Sequence, residues 1–193
     1  TSLARDTRDY YLDPRTGMRN AVNFDFGTPA LGGTTNFYKV TLDTIKYTPL
    51  FWDTRHSIRG RFGIVEGLEG KPIPLTERYF VGGINTMRGF VFGRAGPVTP
   101  SNSLLGADRM IVINNDFIFP ISAEAKLNGV LFFDYGKGFA DDEKLSFNLR
   151  SAAGVELRWI SPFGPLRLAY GFNLDPRPGE RVGVFEFSVG SLF

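Results

Sequence analysis

The sequence predicts an all-β protein, an antiparallel up-and-down transmembrane β-barrel. Segment after segment alternates apolar with small or polar residues in runs of about ten, the length at which a tilted strand spans a bilayer. Residues 185–193 show the pattern best, since apolar Phe185, Phe187 and Val189 alternate with polar or small residues before the final Phe193. Such a strand, apolar on one face and ending on an aromatic residue, is typical of the last strand of an outer-membrane barrel.

The composition also favours strands and turns over helices. The 193 residues include 19 Phe, 7 Tyr, 23 Gly and 12 Pro. The net charge is +2 with acidic and basic residues mixed along the chain, so no basic cluster indicates nucleic-acid binding. The absence of cysteine excludes disulfides and thiolate metal sites. No apolar run approaches the roughly 20 residues of a membrane helix.

The alternation predicts eight or nine strands. Their expected positions are 2–8, 20–28, 37–48, 57–66, 109–120, 126–138, 148–160, 165–173 and 182–193. In the third of these the apolar phase changes at Ile45 and Tyr47, which predicts a bulge or a position at the membrane interface. Most connections are short and rich in Pro, Gly and Asp, as in tight turns. Residues 67–106 alternate little and are predicted to form one long functional loop.

The same alternation also fits a soluble β-sandwich or small barrel that binds an apolar ligand or a partner. We favour the membrane barrel because the second face of the strands carries Gly, Ser, Asn, Asp and isolated Arg, as the wall of a lumen would. A soluble domain would carry a more uniform cover of Lys and Glu. Solubility without detergent would distinguish the two interpretations.

The long loop contains a glycine-rich segment, residues 81–90, with an arginine among apolar neighbours. Gly89 permits a sharply folded backbone close to other structure. Arg88 lies between Met87 and Phe90 in the apolar part of this segment. An arginine in such surroundings either extends to water or is drawn onto a carboxylate.

Two carboxylates are candidates for that pairing. Asp116 and Asp134 each interrupt an otherwise apolar strand, where an unpaired inward charge would be costly. The alternative is that both face water in a lumen and that Arg88 is solvated in its loop. The spacing of the residues alone leaves the two arrangements open.

Several segments resemble, in the same order, the BamA–TamA superfamily of bacterial surface antigens and outer-membrane assembly barrels. The segment Met87-Arg88-Gly89-Phe90 is similar to the Arg-Gly-Phe/Tyr loop motif of that superfamily. The other matching segments are 38–43, 80–83, 132–136, 161–166 and 185–193. Because they are colinear over nearly the whole chain, the resemblance is more specific than any one motif.

The resemblance implies a barrel of about sixteen strands, preceded by periplasmic POTRA domains. Residues 1–193 would be a C-terminal portion of that barrel, with eight or nine of its strands. The long loop would be a lid that folds into the barrel, where Arg88 pairs with Asp134 and Asp116 of the wall. The family often has Glu at the position of Asp116, so the contact with Asp134 is the better supported. A half-barrel also leaves two strand edges that need partners, such as the missing strands or a second copy.

The function implied by the resemblance is assembly and insertion of β-barrel proteins into the bacterial outer membrane, without catalysis or a cofactor. The implied partners are the lipid bilayer, unfolded outer-membrane proteins and accessory assembly lipoproteins, the last through upstream domains. The last strand would form one side of a weak seam and carry a targeting signal. Its residues in that role are Phe185, Phe187, Val189, Gly190 and Phe193. A TamA-like or FhaC-like transporter of the same superfamily is the alternative.

Enzymatic interpretations find little support in the sequence. The single histidine, His56, has no Ser, Cys or second His motif beside it. The acidic run at 141–143 lacks the spaced ligands and central glycine of a calcium loop. We therefore expect no catalytic residues and no metal site.

Overall fold

The computed structural model describes residues 1–29, 35–162 and 164–190. They form one antiparallel sheet of nine strands, in which each strand pairs with the next along the chain. The strands are β1 (Ser2–Asp6), β2 (Gly17–Gly27), β3 (Phe37–Pro49), β4 (Arg55–Gly67), β5 (Arg109–Ser122), β6 (Leu127–Phe139), β7 (Arg150–Ser161), β8 (Gly164–Asn173) and β9 (Gly183–Val189). The predicted all-β, up-and-down fold is confirmed, and β1 and β9 are the two edges of the described sheet.

The predicted strands differ from the observed ones mainly at their ends. β2 begins at Gly17, three residues earlier than expected, and β5 continues to Ser122. β9 ends at Val189, whereas the alternation predicted a strand to residue 193. Phe193 itself lies outside the described residues. Among the residues that the structure describes, none belong to a helix long and apolar enough to span a membrane.

The two faces of the sheet have different compositions. We call the face against which residues 68–108 pack the loop face, and the opposite one the outer face. The outer face carries aliphatic and aromatic side chains from β2 to β9, each 40 to 69% exposed. They are Val22, Phe24, Phe26, Leu42, Ile58, Leu131, Phe133, Val155, Leu157, Trp159, Leu168, Tyr170, Phe172, Phe185, Phe187 and Val189. A continuous apolar band of this extent suits lipid rather than water.

The change of apolar phase in β3 does not produce a bulge. The register of β3 with both neighbours runs without a shift over its whole length, so the bulge prediction was wrong. Ile45 and Tyr47 are buried on the loop face, where they form a cluster that also packs against Ile84 of the loop. The loop face of β3 is therefore apolar at this end because the loop covers it. A register shift does occur between β5 and β6, at Pro120 and Ser122.

The long loop, residues 68–108, joins β4 to β5 and lies close to the predicted range. It contains a short 3-10 helix, Leu75–Glu77, and three isolated bridges. Several of its apolar residues pack on the loop face, with Met87 and Phe90 buried to 0% and 2% exposure. Burying such side chains stabilises the closed loop by roughly 1.5–3 kcal/mol each. The cluster also contains Phe37, Val65, Tyr79, Val81, Ala95, Ala107, Met110, Val112 and Ala152.

Candidate functional site

A tight turn in the long loop presents the Arg88 segment to the sheet. The backbone N–H of Gly83 donates to the carbonyls of Met87 at 3.1 Å and Phe90 at 2.8 Å. The N–H of Gly82 donates to the Thr86 hydroxyl at 2.8 Å. Gly82 and Gly83 both adopt left-handed backbone angles, with φ of +124° and +97°, which a side chain would strain. These three hydrogen bonds, two between backbone groups and one to the Thr86 hydroxyl, close the turn without a partner in the sheet.

Gly89 brings the loop backbone into contact with β7 and β8. Its φ is +81°, and a Cβ built there would lie 3.0 Å from the Cβ of Ala152. A Cβ on Gly171 of β8 would in turn lie 2.5 Å from the Gly89 nitrogen. Two glycines are therefore needed for this approach, one in the loop and one in the wall.

Arg88 is 2% exposed and meets carboxylates from three different strands. Its Nε and Nη2 donate to the two oxygens of Asp134 on β6, at 2.9 and 2.6 Å. Nη2 also donates to Asp116 on β5 at 2.7 Å, and Nη1 donates to Glu156 on β7 at 2.6 Å. The guanidinium carbon lies 3.9 Å from the centre of the Phe132 ring. The planar group thus donates four hydrogen bonds to three carboxylates, and a lysine, with three donors on one nitrogen, could not do so.

Two further arginines balance the charge of the three carboxylates. Arg158 donates to Glu156 at 2.8 Å and to Asp116 at 2.7 Å. Arg167 donates from Nε to Glu156 at 2.6 Å. We call these residues the ion cluster: Arg88, Asp116, Asp134, Glu156, Arg158 and Arg167. Three positive and three negative residues, each no more than 8% exposed, lie together beneath the long loop. Burying charges in this way is tolerable only because each has an opposite partner.

The backbone of the turn is also bound by the sheet, through the carbonyls of residues 84–86. Arg61 on β4 donates to two of these carbonyls, at 2.7 and 2.9 Å. Asn114 on β5 donates to one of them at 2.9 Å. Arg167 on β8 donates to the remaining carbonyl, that of Ile84, at 3.2 Å. The loop is therefore held through its backbone as well as through the Arg88 side chain.

Arg150 of β7, which is not part of the ion cluster, lies against Phe90, the aromatic residue of the motif. Its guanidinium carbon is 4.6 Å from the centre of the Phe90 ring, and its Nη1 donates to Glu180 at 2.7 Å. Glu180 belongs to the connection between β8 and β9. Burial opposes its charge, but hydrogen bonds led by that from Arg150 hold the pKa of Glu180 below its ordinary value. Phe90 is thus linked through Arg150 to the connection that precedes the last strand.

Comparison with known proteins decides the family. The Omp85 superfamily domain matches residues 1–193, the whole chain. The chain belongs to the Omp85 superfamily. It is 36% identical to the outer membrane protein assembly factor BamA of Nitratidesulfovibrio vulgaris strain Hildenborough, over 99% of this chain and 25% of that protein. It is 24% identical to BamA of Neisseria meningitidis serogroup B, over 98% of this chain and 28% of that protein.

The structural comparison agrees with this Omp85 assignment. The crystal structure of BamA from Haemophilus ducreyi lacking POTRA domains 1–3 superposes with a TM-score of 0.80 at 22% identity. The match covers 96% of this chain and 41% of that one, and it shows a shared fold. The Omp85 chain spans about a quarter of the length of the curated BamA relatives that it matches.

The structure places the predicted site residues of this Omp85 chain in two regions. Arg88, Asp134 and Asp116 meet in the ion cluster, and the other motif residues pack beside it. The second region is the last strand, where three predicted residues lie on the outer face, 63 to 69% exposed. These are Phe185, Phe187 and Val189. Gly190 follows the strand with a φ of +85°, and its N–H donates to Pro165 of β8 at 2.8 Å.

Glu156, Arg158 and Arg167 of the ion cluster were not predicted from the sequence. A signal for the first two was present, because they alternate with the apolar outer-face residues of β7. Arg167 lies opposite Arg158 in the pairing of β7 with β8, which only the register reveals. Among the described residues, His, Asp and Glu side chains form no group able to hold a metal ion.

Proposed function

We propose that this chain is part of the barrel of an outer-membrane protein assembly factor, which inserts and folds β-barrel proteins in the bacterial outer membrane. The proposal is supported by the family, by the name of the 36% identical relative and by the apolar outer face. The described residues supply nine strands and the long loop, and other strands complete the barrel. Accessory assembly lipoproteins bind through upstream domains of the full-length protein.

The observation that carries the proposal is the burial of Arg88 among three carboxylates. A buried guanidinium that donates four hydrogen bonds to carboxylates is neither a base nor a nucleophile, so its role is to hold the loop. Removing one partner of a buried ion pair typically costs about 3–5 kcal/mol. The long loop accordingly acts as a lid whose closed position depends on Arg88, Asp134 and Asp116. The activity is conformational and non-enzymatic.

In the described sheet β9 pairs with β8 alone, and its other edge is the proposed site of strand addition. A row of unpaired backbone groups cannot remain bare in lipid, so this edge requires a partner. In the full-length protein the partner is the first strand of the barrel or a strand of an unfolded substrate, which extends the sheet by pairing. Phe185, Phe187 and Val189 face the lipid, while Gly190 and Phe193 belong to the seam and the targeting signal. In isolation, the same edge pairs two copies of this chain.

The proposal is tested by replacement in cells. A full-length protein that contains this chain is expressed while the host's own assembly factor is depleted, and the amount of folded porin in the outer membrane is measured. Restored porin levels are expected, with a loss for Arg88→Ala at equal amounts of inserted protein. Secretion of a soluble reporter in place of porin assembly would instead indicate a transporter of the FhaC type.

A further inference from the structure

Two arginines of the ion cluster lie directly opposite each other. Arg158 on β7 and Arg167 on β8 are register partners, and both side chains point to the loop face with 10% and 5% exposure. Like charges in directly opposed positions of an antiparallel pair are destabilising. Both arginines donate from Nε to the same oxygen of Glu156, at 2.8 and 2.6 Å. The shared carboxylate is what allows the two guanidiniums to lie side by side.

The other oxygen of Glu156 accepts its shortest hydrogen bond from Arg88, and it also accepts from Nη2 of Arg158 and of Arg167 at 3.3 Å each. The hydrogen bond from Arg88 is 2.6 Å long, and the Glu156 side chain has no exposed surface. One carboxylate therefore serves guanidiniums from β7, from β8 and from the long loop. Asp134 by contrast receives its hydrogen bonds from Arg88 alone among the described residues. Glu156 connects the loop to the wall arginines, whereas Asp134 is a receptor for the loop only.

We infer that Glu156 is a positioning residue for Arg88 and that the charge balance of the ion cluster decides whether the long loop stays closed. The inference rests on the proposed lid function. Without the Glu156 charge, three buried guanidiniums share two carboxylates, and one must leave. Arg158 and Arg167 belong to paired strands, whereas Arg88 belongs to the loop and can withdraw with it.

If charge balance decides closure, removing a second charged residue should close the loop again. If only the number of contacts matters, the same removal should open the loop further. Glu156→Gln keeps the shape of the side chain but removes its charge, so the loop opens. Adding Arg167→Gln deletes further contacts but restores equal numbers of charges. The remaining ions then form two complete pairings, Arg158 with Asp116 and Arg88 with Asp134. We expect the double variant to close again.

The experiment measures protease cleavage within residues 80–95 of the full-length, membrane-inserted protein. Glu156→Gln should be cleaved at least about tenfold faster than the wild type. That factor corresponds to a loss of about 1.4 kcal/mol in the free energy of loop closure. The double variant should return to within about threefold of the wild type. Glu143→Gln is the control, since Glu143 pairs with Lys137 outside the ion cluster and should leave cleavage unchanged.

Unchanged cleavage in Glu156→Gln would overturn the inference, and so would a double variant that is cleaved faster than the single one. A heat-shifted gel band shows whether each barrel has folded. If the Glu156→Gln variant does not fold, a double variant that folds supports charge balance. A double variant that also fails to fold refutes charge balance. Rescued closure with no effect of loop opening on porin assembly would uphold the inference and refute the lid function.

Discussion

Arg88 and Asp134 are joined by three hydrogen bonds of 2.6 to 2.9 Å, two from the guanidinium and one from the Arg88 backbone N–H. The aspartate therefore fixes the loop backbone and the side chain together. Asp134 has no exposed surface and lies in the middle of β6, a paired strand on both sides. A rigid acceptor of this kind defines one position for the loop, which is consistent with the proposed lid function.

The first prediction concerns the shape of the cation. Arg88→Lys keeps the charge, but an ammonium on a narrower side chain cannot reach Asp134, Asp116 and Glu156 together. We expect porin assembly to fall nearly as far as in Arg88→Ala, with cleavage of residues 80–95 raised about tenfold or more, as for loss of a buried partner. Arg94→Ala, in the same loop but outside the ion cluster, is the control. Near-normal assembly by the lysine variant would show that charge alone is sufficient.

The second prediction tests the close approach of Gly89. Gly89→Ala places a Cβ 3.0 Å from that of Ala152 and strains a left-handed backbone, so the loop should be displaced. A cost of about 1–3 kcal/mol is expected from the backbone conformation. Gly70→Ala is a matched control, because Gly70 also has a positive φ, of +69°, but has open space around it. Equal protease sensitivity of the two variants would exclude contact with the wall as the cause.

The third prediction concerns pH. The pKa of Glu180 is lowered in the folded protein, since the hydrogen bonds from Arg150, the Arg177 backbone and Asn173 outweigh its burial. A lowered pKa contributes stability that is present above the unfolded value of 4.5 and is lost as the pH falls through the folded value. Protection of residues 174–182 from pepsin should therefore decrease as the pH is lowered below about 4.5.

The matched variant for this test is Glu180→Gln. At pH 6, measured with a protease active at that pH, residues 174–182 of this variant should be less protected than those of the wild type. As the pH falls, the variant should lose less of its protection than the wild type does. A wild-type protein whose protection stays constant between pH 6 and pH 3 would contradict the assignment of Glu180 as the responsible group.

The sequence predicted the strands because a lipid-facing band leaves a period of two in every one of them. It indicated Arg88, Asp134 and Asp116 because the charges interrupt apolar segments and because the motif resembles a known family. Glu156, Arg158 and Arg167 were missed for a physical reason. Charged residues on the second face of a barrel strand fit either a watery lumen or a buried cluster, and the loop that excludes water is remote in sequence.

The same reason explains the error in β3. The change of apolar phase at Ile45 and Tyr47 was interpreted as a bulge or a position at the membrane interface. The wall is apolar there because Ile84 of the long loop covers it. Which part of a strand a distant loop will cover depends on the register of the whole sheet, which no local pattern contains.

The last prediction tests the assignment of the two faces on one strand. Phe187 is 69% exposed on the outer face of β9, and its neighbour Ser188 points to the loop face. A glutamine facing lipid leaves its amide without hydrogen-bond partners, which costs about 1–3 kcal/mol, whereas a polar side chain on the inner side of a barrel is tolerated. Phe187→Gln should therefore reduce insertion into phospholipid vesicles, measured by the heat-shifted gel band. Ser188→Gln, which places no second cation opposite Arg167, should reduce it much less. The opposite order would mean that β9 turns its aromatic face to the barrel interior.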